Sequence, residues 1–201
     1  MANLFKILKT IFLLALLMAN VSAVFAQAFC SLRDPITTIN ELAPSPATFE
    51  SAVINIDRQA RDFFIAETDL NMHRQELGYH TIYQVHTPDT TDKNIIHVRP
   101  ESTPWGLIEI AWLLNKQGQL KNYTFQRCRS QHCDSINNKV FKEKLLRLEQ
   151  QTLRSFLDDS LFGLSASGKK QFQSPEASEP LVAAVIRSAL KASAIITYLE
   201  S

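Results

Sequence analysis

The stretch that decides the fold is Trp105-Gly-Leu-Ile-Glu-Ile-Ala-Trp-Leu-Leu114, the most strand-like segment of the chain. Its large apolar side chains recur at every second position, and only Glu109 interrupts the other face. This pattern predicts a central strand of a sheet. The next residues, Asn115-Lys-Gln-Gly118, predict a hairpin turn, because Gly118 accepts a positive φ. We therefore expect residues 120–127 to return as an antiparallel strand.

Working outward from this hairpin, the preceding segments also have a period of two. Residues 79–86 alternate aromatic and β-branched side chains with polar ones, and residues 95–98 form a second apolar run after the turn sequence at 88–92. Together with the hairpin, they predict an antiparallel sheet of about four strands.

The flanking segments have helical periodicity instead. Apolar residues at spacings of three and four predict helices over residues 35–43, 48–67, 134–158 and 181–199, and a polar stretch predicts a loop over residues 163–175. N- and C-terminal helices packed on an antiparallel sheet make one α+β domain, which we place at residues 29–201.

The first 28 residues have the pattern of a signal peptide. Lys6 and Lys9 precede the apolar run of residues 10–19, and Ala26-Gln-Ala28 offers a small-x-small cleavage site. We expect cleavage after Ala28 and a periplasmic or secreted protein. The alternative is an uncleaved N-terminal membrane anchor, since apolar residues continue through Val24 and Phe25.

Composition excludes several classes of function. The 201 residues contain 21 Lys+Arg and 20 Asp+Glu, so no basic stripe favours nucleic-acid binding. Five glycines without a phosphate-binding loop argue against a nucleotide enzyme. Hydrolase and metalloprotease motifs are also absent from the sequence, so an enzyme is the less favoured reading.

Export makes a disulfide the expected state of the cysteines, which are Cys30, Cys128 and Cys133. Cys128 and Cys133 can close a small loop, whereas Cys30 with either of them would close a long one. We favour a bond that involves Cys30, because a longer loop removes more entropy from the unfolded chain.

The histidines do not predict a metal site. His80 and His86 share a face of one strand but lie about 20 Å apart at ~3.3 Å per residue, too far for one ion. Cys128, His132 and Cys133 lack a fourth ligand and the usual paired spacing of zinc sites.

The candidate ligand site is a cluster of Trp105, Glu109, Arg127 and Arg129. Glu109 is either a solvent-facing residue of the sheet or a carboxylate that faces a pocket. Arg127 and Arg129 project from one face of their strand, so they can pair with Glu109 or bind an anion.

Three segments share features that occur together in one known family: Ile39-Asn-Glu-Leu-Ala-Pro44, Ile82-Tyr-Gln-Val85 and the hairpin from Gly106 to Gly118. Together they resemble the exported FMN-binding domain that occurs in the sodium-pumping NADH:quinone reductase, in a related electron-transport complex and in the nitrous-oxide regulatory flavoproteins. The family attaches FMN to a threonine before its final helix. This chain has Ser167-Gly-Lys-Lys170 there, with lysine at the acceptor position.

The resemblance therefore implies FMN bound without a covalent bond, in an electron-transfer accessory. Candidate contacts are Lys169, Lys170, Arg127 or Arg129 for the phosphate and Trp105 or Trp112 for the ring. The expected function is an exported accessory protein that binds flavin or another small anionic ligand, with an envelope or inner-membrane protein as a possible partner. The alternative is a disulfide-stabilised, non-enzymatic protein-interaction module of the cell envelope.

Overall fold

The structure is a computed structural model that describes residues 30–43, 48–86, 93–173 and 178–201. The predicted signal peptide with its cleavage site and the predicted turn at 88–92 lie outside these residues.

The helices are α1 (Pro35–Leu42), α2 (Arg58–Thr68), α3 (Cys133–Asn137), α4 (Lys139–Leu146), α5 (Gln150–Ser155), α6 (Ala166–Phe172) and α7 (Glu179–Glu200), and Arg74–Glu76 forms one turn of 3₁₀ helix. The strands are β1 (Thr48–Ile56), β2 (Gly78–His86), β3 (Asn94–Thr103), β4 (Gly106–Asn115) and β5 (Leu120–Arg127).

The five strands form one antiparallel sheet in the order β1-β2-β3-β4-β5. The α+β class is confirmed, with one strand more than the roughly four predicted. The hairpin between β4 and β5 is present, and Gly118 has the expected positive φ of 73°. The strand β4 pairs with β3 along its whole length and with β5 on its other edge, so it is central as predicted.

Strands β2 and β3 pair over only part of their length. Their pairing runs from Ile82 opposite His97 to Val85 opposite Asn94. Beyond Ile82, residues 78–81 pair with β1 alone, and residues 98–103 pair with β4 alone. We call this unpaired region the β2–β3 split, and it positions the candidate site.

Each face of the sheet has its own apolar core. The larger core contains Trp112 of β4, Phe64 of α2 and the long helix α7, and the smaller core lies between the sheet and α1. Residues 181–196 of α7 are all buried. By length and composition α7 could also cross a membrane, but 89% of its most apolar window is buried inside the protein, as in the core helix of a globular domain.

The predicted helix over residues 48–67 is wrong in its first half. Thr48–Ile56 is the edge strand β1, and only the second half forms a helix, α2. Asp57 separates them, because its side chain accepts a hydrogen bond from the backbone N–H of Ala60 and caps α2. The β-branched residues before Asp57 pair with β2 instead of continuing a helix.

Two other predicted segments also differ from the structure. The single helix predicted over residues 134–158 is three short helices, because Asn138 caps α4 and ends α3 with extended backbone. The predicted loop at residues 163–175 contains α6, which is capped by Ser165. The first and last predicted helices are confirmed as α1 and α7.

Candidate functional site

Glu109 is buried, with 1% of its surface exposed. Its carboxylate accepts two hydrogen bonds from Arg33, from Nε at 2.7 Å and from Nη2 at 2.8 Å. Arg127 also approaches it, at 3.8 Å, so the predicted pairing of these two residues is present. Glu109 therefore neither faces solvent nor faces an empty pocket, because Arg33 covers it.

This ion pair anchors residues 30–33, which we call the N-terminal strap. The Arg33 N–H donates to Gln126 on β5, and the Leu32 N–H donates to the Tyr83 hydroxyl on β2. The strap thus crosses the sheet from β2 to β5 and adds Leu32 to the smaller core.

The other two predicted site residues lie elsewhere. Trp105 packs against the larger core, with its ring 6.2 Å from the ring of His132. Arg129 is exposed, two residues past the end of β5. The structure thus brings Glu109 and Arg127 together but not all four residues, and none of the four lines the pocket described below.

The disulfide joins Cys128 to Cys133, and Cys30 is a free thiol. The preference for a bond with Cys30 is therefore wrong. Cys128 follows β5 and Cys133 begins α3, so a short turn brings them together, whereas the Cys30 carbonyl accepts a hydrogen bond from Thr81 on β2, three strands away.

A pocket of about 800 Å³ opens at the β2–β3 split. Because the strands are unpaired there, the pocket is lined from both faces of the sheet and from α7. Its apolar wall contains Leu70, Leu77, Pro100, Leu107, Leu161 and Phe162. Its polar wall contains Cys30, His73, Glu76, Glu101, Arg187 and Lys191. Phe162 is 60% exposed, so the pocket reaches the protein surface.

The polar wall is an ion network that joins β3 to α7. The Glu101 carboxylate lies 2.6 Å from Lys191 Nζ and 3.1 Å from Arg187 Nε. Arg187 also donates to the carbonyl oxygens of Leu161 and Ser102, and its guanidinium lies 4.8 Å from the Phe162 ring centroid. Leu161 has a positive φ of 67°, a strained backbone that Arg187 holds in place.

Glu76 extends the network towards β2. Its Oε1 accepts hydrogen bonds from Lys191 at 2.7 Å and Arg99 at 3.3 Å, and its Oε2 accepts one from the backbone N–H of His73. Burial raises the pKa of the Glu76 carboxyl, but the charges of Arg99 and Lys191 outweigh it, so the net pKa shift is downward. Glu76 is therefore a carboxylate at neutral pH.

A pair of buried histidines lies behind this wall. His80 Nε2 donates to the Glu76 carbonyl oxygen at 2.9 Å, which leaves His80 Nδ1 to accept from His97 Nε2 at 3.2 Å. Burial and the nearby charge of Arg99 lower the pKa of His80 to about 4 and the pKa of His97 well below its usual value. Both imidazoles are thus neutral, and His97 Nδ1 and Arg99 Nε have no hydrogen-bond partner within the described residues.

The sequence contained signals for this site that the pattern analysis missed. Arg187 and Lys191 lie one helical turn apart in the segment 181–196, whose other residues are apolar or serine, so both point into the core. His97, Arg99 and Glu101 alternate along β3 and share one face of that strand. Polar side chains at such positions indicate a buried network, because each needs a partner.

No metal centre or family assignment accompanies this geometry. Within the described ranges, no group of three or more His, Cys, Asp or Glu side chains is placed to hold a metal ion. Comparison of the chain with protein-family models, with curated proteins and with solved structures finds no significant match. The resemblance to FMN-binding domains therefore stays a prediction.

Proposed function

We propose that the protein is an exported, non-catalytic binding protein that holds a small molecule non-covalently in the pocket at the β2–β3 split. The observation that carries this proposal is the combination of a pocket of about 800 Å³ with one charged wall and one apolar wall. Ligand sites typically have volumes of roughly 300–1,000 Å³ and a few polar groups among apolar ones.

The energetics of the ion network support this proposal. The side chains of Glu101, Arg187 and Lys191 are only 5%, 7% and 4% exposed. Removing such charges from water costs several kcal/mol per ion, so buried ion pairs add little net stability. Their position on the wall of a pocket is better explained by recognition of a charged ligand than by stabilisation of the fold.

The chemistry of the pocket favours binding over catalysis. Cys30 is the candidate nucleophile in the lining, and burial raises the pKa of its thiol, which keeps it protonated. The carboxylates are held by cations, and the histidines behind them lack the charge change near neutral pH that acid–base catalysis needs.

FMN is the first ligand to test, because the sequence resemblance implies it. Titration of FMN with the purified protein should quench flavin fluorescence if flavin binds. The fluorescent anion 1-anilinonaphthalene-8-sulfonate tests the pocket independently of flavin. If the protein binds this probe but not FMN, the pocket is a ligand site and flavin is not its ligand.

A pocket-filling variant localises the binding. Leu107→Trp should abolish probe binding, because the larger ring occupies the cavity, whereas Ile36→Trp, at a residue 68% exposed on α1, should leave it unchanged. Circular dichroism checks that both variants are folded. If the native protein binds neither compound, or if Leu107→Trp binds as well as wild type, the pocket is not a ligand site.

A further inference from the structure

The net charge of the ion network points to the kind of ligand that the pocket takes. The network contains three cations, Arg99, Arg187 and Lys191, but only two carboxylates, Glu76 and Glu101. The adjacent histidines are neutral and compensate nothing. One positive charge is therefore left without a counterion among side chains that are at most 10% exposed, where an unpaired charge is costly.

Free hydrogen-bond donors lie on the same wall. Arg187 uses three of its N–H groups on Glu101, Leu161 and Ser102, which leaves two. Lys191 donates a hydrogen bond to Glu76 and forms an ion pair with Glu101, which leaves at least one of its N–H groups free. Arg99 is fully buried behind them, and its Nε has no partner within the described residues. An anionic group at this wall would accept hydrogen bonds from these donors and would compensate the unpaired positive charge of the network.

The apolar part of the lining indicates the chemistry of the rest of the ligand. Leu70, Leu77, Leu107 and Leu161 are aliphatic, and the aromatic side chain among the lining residues, Phe162, stands at the exposed rim with its ring against Arg187. Aliphatic walls accept a flexible hydrocarbon chain and gain about 25 cal/mol for each Å² of apolar surface that it buries.

We propose that the pocket binds an aliphatic monoanion, a hydrocarbon chain with one carboxylate, and that Lys191 and Arg187 bind its charged end. This inference rests on the proposed function and specifies the ligand for the same site. A single negative charge neutralises the network, whereas a cationic head would add to its positive charge. Lys191 is the residue that selects the anionic head, since it bridges both carboxylates and keeps a free N–H.

The test compares three ligands that share one twelve-carbon chain: dodecanoate, dodecanol and dodecyltrimethylammonium. Each is titrated into wild-type protein by calorimetry at concentrations below micelle formation. Dodecanoate should bind at least about tenfold more tightly than the other two, a difference of about 1.4 kcal/mol. The head group then contributes to binding and the chain alone does not explain it.

A variant tests the role of Lys191. Lys191→Met should weaken dodecanoate binding at least about tenfold and leave dodecanol binding within about twofold, because only the anionic head loses a partner. Lys116→Met, at an exposed lysine of the turn between β4 and β5, is the matched control and should change neither. The comparison of the three ligands on wild-type protein does not depend on this variant, so it decides the question even if Lys191→Met fails to fold.

The outcomes separate the two proposals. If dodecanol or dodecyltrimethylammonium binds as tightly as dodecanoate, the pocket binds ligands but the monoanion inference is overturned. If none of the three binds and the fluorescent probe also fails, the proposed function itself is overturned. Preferential dodecanoate binding that Lys191→Met removes supports both.

Discussion

Replacing Glu101 with glutamine should destabilise the fold by about 3–5 kcal/mol, the usual cost of breaking a buried ion pair. The Glu101 side chain is 5% exposed, and its two oxygens contact Lys191 at 2.6 Å and Arg187 at 3.1 Å. Glutamine keeps the shape, but one of its ends becomes an NH₂ donor that must face a cation. One cation therefore loses its acceptor, and both lose the negative charge that compensated them.

Urea unfolding monitored by tryptophan fluorescence measures this loss, because Trp112 is fully buried and reports the native core. With a slope of about 2 kcal/mol/M, the midpoint should fall by about 1.5–2.5 M. Glu143→Gln is the matched control: Glu143 lies 4.0 Å from Lys139 on the surface of α4, and its loss should cost less than about 0.5 kcal/mol. A Glu101→Gln variant that loses less than about 1 kcal/mol would refute the view that this network is desolvated and mutually dependent.

Three further perturbations test other parts of the structure. The free energy of unfolding should fall as the pH drops from 6.5 towards 4, by about 1.4 kcal/mol per pH unit for each of the two buried histidines. The reason is that these histidines bind protons in the unfolded chain but stay neutral in the folded protein. Urea unfolding at a series of pH values measures this slope, and His80→Gln should reduce it. Arg33→Met should lower the free energy of unfolding by about 1–3 kcal/mol, because buried Glu109 loses its bidentate partner. The variant should also speed the reaction of Cys30 with a thiol reagent, because the N-terminal strap is no longer anchored. Replacing both Cys128 and Cys133 with serine should lower the free energy of unfolding by about 2 kcal/mol, measured by thermal or urea unfolding. This is the effect expected from the entropy that a disulfide with a sequence separation of 5 removes from the unfolded chain.

Each of these perturbations has an outcome that contradicts it. A stability that stays constant from pH 6.5 to 5 would mean that the histidines take up protons in the folded state. Arg58→Met, at an exposed arginine of α2, is the control for Arg33→Met, and equal effects of the two variants would show that the strap is not anchored by Glu109. Peptide mapping without reductant that places Cys30 in the disulfide would contradict the pairing of Cys128 with Cys133.

The sequence predicts those parts of the fold whose pattern is local. The run from Trp105 to Leu114 is apolar on both faces and ends in a glycine turn, so its period and its turn agree on a central strand and a hairpin. The prediction of one helix over residues 48–67 was wrong because Ala52, Ile56 and Phe63 have helical spacing although they belong to two different elements, β1 and α2. Asp57 was the local signal that a helix begins there.

The site was harder to predict, because its residues meet only through tertiary register. Glu76, Glu101 and Lys191 come from a 3₁₀ turn, a strand and a helix that are far apart in the chain. Sequence spacing gives the face on which each side chain lies but not which faces meet. The pairing of Glu109 with Arg127 was predictable, since the two residues sit opposite each other on adjacent strands of one hairpin.

The order of the strands also bears on how the chain acquires its structure. Because β1 to β5 are neighbours in space in the same order as in sequence, each can pair with the strand made just before it, and such short connections favour rapid assembly. The helix α7 comes after all of them, yet it supplies both Arg187 and Lys191. Until it docks, Glu101 has neither cation, and the larger core lacks the apolar side chains that α7 contributes. Docking of α7 therefore completes the larger core and supplies both cations of Glu101 together, which couples the burial of apolar surface to the pairing of a buried charge.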